Sequence, residues 1–138
     1  LMPHSAPFLF LQEATIQGDE IIGRYKISGD EFFLEGHFKN RPVFPASIMI
    51  EALGQLGVLY LLKKGAEELE RQLDPNTVFF TSCDGIRVQR ICQPGEQLQL
   101  KVKPKRLRPP IFNFEGLITT EQEKVAFAEE ISLTFDFV

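Results

Sequence analysis

One histidine, one glutamate and one glutamine stand out in a stretch that is otherwise short of polar groups. His37 lies in Gly36-His37-Phe38-Lys39-Asn40-Arg41-Pro42-Val43-Phe44-Pro45, a segment pinned by two prolines. Glu51 follows fourteen residues later, and Gln55 one helical turn after that. Between Ile48 and Leu62 these two are the only charged or amide side chains. A neutral imidazole can accept a proton near pH 7. A carboxyl set in an apolar wall tends to stay protonated and can give one. The pair therefore has the makings of general acid–base chemistry, with Gln55 able to orient Glu51 from behind.

The elements that would position them can be read from periodicity. Pro45 suits the first position of a helix, where its missing N–H costs nothing. The apolar run predicts a helix to about Lys64, with Lys63 and Lys64 complementing its negative end and Gly65 able to cap it. A helix apolar nearly all round must be buried nearly all round. Interrupted by glycine and glutamate, it is too short to read as a membrane span. Glu51 and Gln55, spaced i and i+4, share one face of it. Upstream, residues 7–16 and 20–27 read as two strands joined at Gly18-Asp19, followed by a polar-aromatic connector over residues 30–36. Downstream, residues 66–73 read as a short charged helix. Residues 77–90, 97–107, 111–119 and 125–137 read as four strands, separated by turns at Pro94-Gly95, Pro109-Pro110 and residues 121–124. In the second of these, Leu98, Leu100 and Val102 alternate with Gln97, Gln99, Lys101 and Lys103, the pattern of a half-buried strand. The expected fold is α+β: one domain over residues 1–138, with an antiparallel sheet wrapped around one long buried helix.

Composition narrows the function. A net charge of −4 lacks the basic footprint of a nucleic-acid binder. Two cysteines and no signal segment point to a reduced, cytoplasmic setting. With two histidines and no Cys-x-x-Cys, a metal site is not expected. Neither a Walker loop nor GxGxxG is present, so no nucleotide cofactor is expected, and no cofactor of any kind is called for.

Gly36-His37-Phe38, Pro42-Val43-Phe44-Pro45, Glu51-Ala52 and Gln55 together resemble the signature of the hotdog-fold 3-hydroxyacyl-[acyl-carrier-protein] dehydratases. Pro3-His4 and Pro7-Phe8-Leu9 resemble that family's opening. Phe79-Phe80 through Ile86-Arg87 and Pro94-Gly95-Glu96-Gln97-Leu98 resemble its later strands, so the likeness spans the chain. The resemblance implies a hotdog fold and the dehydration of 3-hydroxyacyl thioesters to trans-2-enoyl thioesters in fatty-acid or related polyketide synthesis. It implies His37 as base, Glu51 as acid, and the amides of Ala46 and Ser47 as donors to the thioester carbonyl, with Phe38 and Gln55 beside the substrate. It also implies an acyl carrier protein bearing a phosphopantetheine-linked chain as partner, and a homodimer or trimer of dimers whose sites take histidine and glutamate from two subunits. Three positions depart from the family pattern: Ser5 for arginine, Lys39 for proline and Ala46 for glycine. Ala46 keeps the N–H and adds a methyl.

Two alternatives use the same fold. In a thioesterase, Glu51 would activate water or attack the thioester. A non-catalytic carrier-binding subunit would keep the fold without turnover, and Ala46 and Lys39 favour it. Blander readings apply to other residues. A lone loop histidine is usually just hydrogen-bonded, as His4 would be, and Ser47 suits helix capping better than nucleophilic attack. Cys83 and Cys92 read as buried small apolar residues. Asp84 and Arg87, three apart, read as a structural ion pair. The basic run Lys101, Lys103, Lys105, Arg106 and Arg108 is either the wet face of a strand or a docking patch for an acidic partner. The phenylalanines, Phe32, Phe33, Phe112 and Phe114 among them, are core, and some would line an acyl tunnel.

Overall fold

The structure, a computed structural model, describes residues 13–27, 46–65, 74, 77, 79–90, 92–108, 111–121 and 123–136. They form six strands and a central helix: β1 (Glu13–Gln17), β2 (Glu20–Lys26), α1 (Ala46–Tyr60), β3 (Phe79–Val88), β4 (Gln97–Arg108), β5 (Ile111–Thr119) and β6 (Lys124–Thr134). One antiparallel sheet runs β1-β2-β4-β5-β6-β3. The α+β plan read from the sequence is thus the observed one.

Gly18, at φ 63°, makes the β1–β2 turn, a backbone setting that favours glycine. Alternation along β4 sends Leu98, Leu100 and Val102 into the core, where each is at most 1% exposed. The inward faces of β2, β5 and β6 add Ile21, Tyr25, Phe112, Phe114, Ile118, Ile131 and Leu133. The helix lies across this face and contributes Met49, Leu53, Leu56, Tyr60 and others to one core. Each such aliphatic or phenyl group, fully buried, contributes roughly 1.5–3 kcal/mol.

Two glycines set how closely helix and sheet approach. A Cβ on Gly116 of β5 would lie 2.9 Å from Leu53 Cδ1, and one on Gly57 of α1 would lie 3.4 Å from both Leu133 and Phe114. Tyr60 then meets Phe114 edge-on, with ring centroids 6.1 Å apart.

The helix end differs from the expected one. It stays α-helical to Tyr60 and widens into a π-turn over Leu61–Gly65. There Lys64 Nζ donates to the Gly18 carbonyl at 3.0 Å, tying the helix to the β1–β2 turn.

The sheet curls around α1 through a line of bulges. Register slips by one residue at Lys105 between Pro104 and Arg106, and again where β6 passes Glu115 between Phe114 and Gly116. Lys105 Nζ donates to the Glu129 carbonyl at 3.0 Å within this line. On β3 it meets Gly85, at φ 63°, against which Glu129 packs so closely that a Cβ would lie 2.5 Å from its Oε2. Bulges increase local twist and bend the strands that carry them.

The β3–β4 connection crosses the end of the sheet. Arg90 holds it there, pairing with Glu96 through both terminal nitrogens and with Glu123 Oε2 through Nε at 2.7 Å.

Two smaller readings are corrected, and a third is refined. Cys92 is fully buried, but Cys83 is only half-buried on the sheet margin. Asp84 and Arg87 form no ion pair among the described residues; they sit opposite Glu130 and Phe127 of β6. The basic run is split, since Lys101 lies 3.9 Å from Glu20 and Lys103 lies 4.0 Å from Asp19.

Candidate active site

The orientation of α1 decides where Glu51 points. Leu53 and Gly57 face the sheet, as their contacts with Gly116, Phe114 and Leu133 require. At about 100° per residue, Glu51 and Gln55, each two positions from Leu53, lie about 160° round the helix from it. Both therefore stand on the face turned away from their own sheet. Gln55 is nonetheless fully buried and holds a polar partner, so this face is covered rather than wet. Glu51 is half-buried, and burial pushes its carboxyl above the usual carboxylate range. A carboxyl so placed favours its neutral, proton-donating form.

The helix starts at Ala46. Its first-turn amides have no intrahelical acceptor and carry the positive end of the helix dipole. Five residues separate Ala46 from Glu51, about 7.5 Å of helix rise. A carbonyl-to-hydroxyl unit with a hydrogen bond at each end spans such a gap. The described residues thus place first-turn amides and a half-buried carboxyl along one helix, with Gln55 a turn further on. His37 and Phe38 lie outside the described residues, as do the side chains of Ala46 and Ser47.

Other candidate sites are weaker. Among the described residues, no group of three or more His, Cys, Asp or Glu could hold a metal ion. Clefts of about 350 and 450 Å³ at the end of the sheet are lined by ion-paired Arg90, Glu96 and Glu123 and by Glu13, Arg24 and Gln97, with no residue of α1. Among the described residues no helix is long and apolar enough to cross a membrane. Sequence reasoning did not single out Gly116, which seats Leu53 and so sets the height of Glu51. A glycine in a strand gives that signal only once its opposite number is known.

Comparisons with known proteins bear on the family and the fold. A family model for FabA-like domains matches residues 2–129. The 3-hydroxyacyl-[acyl-carrier-protein] dehydratase FabZ of Geobacillus sp. (strain WCH70) is 35% identical over 131 residues, covering 94% of this chain and 86% of that protein. FabZ of Bacillus cereus (strain AH820) is 34% identical over 137 residues, with 98% and 89% covered. Among solved structures, the dehydratase heterocomplex ApeI:P from Xenorhabdus doucetiae superimposes with a TM-score of 0.78 over 98% of this chain and 88% of that one, at 14% identity. A mutant of the fluoroacetyl-CoA-specific thioesterase FlK gives 0.68 over 91% and 90%, at 9% identity. At these identities the two structures establish the hotdog fold alone.

Proposed function

This chain belongs to the FabA-like family, and from that premise we propose that it dehydrates 3-hydroxyacyl thioesters held on an acyl carrier protein, giving trans-2-enoyl thioesters for fatty-acid synthesis. The observation that carries the reading is Glu51, a half-buried carboxyl whose pKa is raised by burial, set five residues along the helix from its start at Ala46. In this reading the thioester carbonyl accepts from the amides at Ala46 and Ser47, which makes the C2 proton more acidic. His37, as neutral base, takes that proton. Glu51 gives its proton to the C3 hydroxyl, which leaves as water, and the C2–C3 double bond forms. Gln55 steadies the Glu51 carboxyl from one turn away. Proton balance is restored when His37 returns the C2 proton to Glu51 through solvent. No cofactor enters the scheme.

The assembly reading is a homodimer, either alone or built into a trimer of dimers. Two features support it. Glu51 faces away from its own sheet, so a second copy can complete the site. The sheet's two margins also differ: β1 is short, with exposed Glu13, Thr15 and Gln17, while β3 is a ten-residue margin with exposed Ile86 and Val88. Long unguarded margins invite pairing with another chain. For the carrier protein, Arg106 and Arg108 are the strongest candidates. Both are exposed and lack a carboxylate partner among the described residues, unlike Lys101 and Lys103. Two free thiols suit a cytoplasmic setting.

The test is enoyl absorbance measured on a carrier-linked and a short soluble thioester, with His37→Ala, Glu51→Gln and Arg106→Glu/Arg108→Glu. Turnover should fall by roughly 10²–10⁴ in each of the first two variants on both substrates. The third should raise KM for the carrier-linked substrate only. Release of free thiol without enoyl formation would replace dehydration with hydrolysis. Full turnover in His37→Ala or Glu51→Gln would reject the assigned roles.

A further inference from the structure

We propose that the outer face of the sheet carries a binding site for a phosphate monoester, formed by Arg106, Arg108 and the side-chain amide of Asn113. Alternation fixes which way these residues point. Leu107 lies opposite Phe112, which is fully buried, so Leu107 turns inward and its neighbours Arg106 and Arg108 turn outward. Asn113 stands between fully buried Phe112 and Phe114 and directly opposite Arg106, so it shares the outer face. Directly opposed side chains have Cβ atoms about 4.5–5.5 Å apart. Arg108, two residues on, is about 6–7 Å along the same strand. The three side chains therefore bound one small area beside the β4–β5 turn.

Asn113 is held in one orientation. On its other flank it faces Ser132 of β6, a serine only 7% exposed, whose hydroxyl donates to Asn113 Oδ1 at 2.8 Å. The Ser132 carbonyl in turn accepts from Thr81 Oγ1 at 3.1 Å. With its oxygen drawn towards β6, the amide turns its two N–H groups away from that strand, towards Arg106. The guanidinium groups add donors and no acceptor. Neither arginine pairs with a carboxylate among the described residues. The two rows across the sheet here, Arg106–Asn113–Ser132 and Arg108–Ile111–Thr134, contain no acid. The next outward residue of β5 is Glu115, and at that level Lys105 reaches over β5 to bond the Glu129 carbonyl, setting a cation beside the acid.

A ligand that suits this area offers only acceptors and balances two positive charges. A phosphate monoester meets both demands, with a charge of about −1.5 to −2 at neutral pH and three strong acceptor oxygens. The arginine fork matches its geometry bidentately. A phosphodiester carries a single charge and fewer free oxygens, so it leaves part of the donor set unmet. Ile111, opposite Arg108 and 47% exposed, supplies an apolar shelf for the organic part of the ester. The site stands independently of the dehydratase reading. Where that reading holds, a monoester seated here competes with the carrier protein for the same two arginines.

Titration with methyl phosphate and dimethyl phosphate tests it, read from the backbone amide signals of residues 106 and 113 in a nitrogen–proton correlation spectrum. Methyl phosphate should shift both signals saturably, and dimethyl phosphate should bind at least about tenfold more weakly. Asn113→Asp keeps an acceptor for Ser132 but replaces the amide donors with a carboxylate. It should weaken methyl phosphate binding at least about tenfold, as should Arg106→Gln. Arg24→Gln removes an exposed arginine that pairs with Glu13 elsewhere on the sheet, and should leave binding unchanged. Absence of a saturable shift, undiminished binding in Asn113→Asp, or an equal loss in Arg24→Gln would overturn the site. Dimethyl phosphate binding as tightly as methyl phosphate would overturn the choice of a monoester.

Discussion

Gly116→Ala should loosen the seat of α1 by an amount that follows from three distances. The added methyl would stand 2.9 and 3.1 Å from the two Leu53 methyls and 3.3 Å from Ile131 Cδ1. Comfortable carbon contacts lie at about 3.5–4.0 Å, so Leu53 must retreat by several tenths of an ångström. It is 2% exposed and has core on its flanks. Overpacking of this kind costs about 1–3 kcal/mol. Replacing glycine also narrows the unfolded ensemble and returns about 0.4–1 kcal/mol. At the midpoints of those ranges the expected net loss is about 1.3 kcal/mol, read as a lower urea midpoint with unchanged slope at fixed protein concentration. Leu53→Val removes a methylene at the point of conflict. Combined with Gly116→Ala, it should cost at least about 0.5 kcal/mol less than the sum of the single changes. Because Glu51 is two residues from Leu53, turnover should fall in Gly116→Ala even where the protein is fully folded. A variant as stable as the parent, or strict additivity in the double change, would refute the claim that Gly116 and Leu53 are in hard contact.

Glu51→Gln should separate stability from activity. Burial raises the carboxyl's folded-state pKa, so the native form binds the proton more tightly than the unfolded chain. The stability this group contributes is complete below its unfolded value and declines as pH rises through the folded one. The uncharged variant should therefore melt higher than the parent at pH 8 and converge with it near pH 4, while turnover is lost; a variant less stable at pH 8 would contradict the burial argument. Glu96 works with the opposite sign. Its side-chain hydrogen bonds with Arg90 hold its carboxyl below the usual range, so its contribution is present above about pH 4.3 and fades as pH falls. Glu96→Gln should cost about 1 kcal/mol at neutral pH, allowing for solvent screening, and nearly nothing in strong acid; equal loss at both would place the effect in packing.

The helix and the sheet were legible because their signals are local. The run from Ile48 to Leu62 has almost no polar side chain, and the alternation in Gln97–Lys103 has the period of a strand. Strand ends were less so: the fourth predicted strand reached residue 137, whereas β6 ends at Thr134, and the helix end opened into a π-turn at Leu61. Such ends depend on remote partners, as when Lys64 reaches the Gly18 carbonyl. Glu51 and Gln55 were placed correctly on one face, but which face turns to the sheet depends on Gly116 and Gly57 meeting their opposite numbers. Asp84 and Arg87 were misjudged for a related reason. Their relation passes through a left-handed glycine and a bulge on another strand, neither of which has a signature in the spacing of the two charges.

The bulge at Lys105 separates two properties that strands usually change together. In a regular strand, losing one residue turns every later side chain to the wrong side of the sheet. Losing Lys105 would not. The ladder would close from Pro104–Phe114 directly to Arg106–Asn113, leaving Leu107 inward and Arg106 and Arg108 outward. What would change is the bend of β4, and with it how tightly the sheet clasps the helix. A single-codon deletion at that position could therefore alter the width of the space around α1 while leaving the composition of the core untouched.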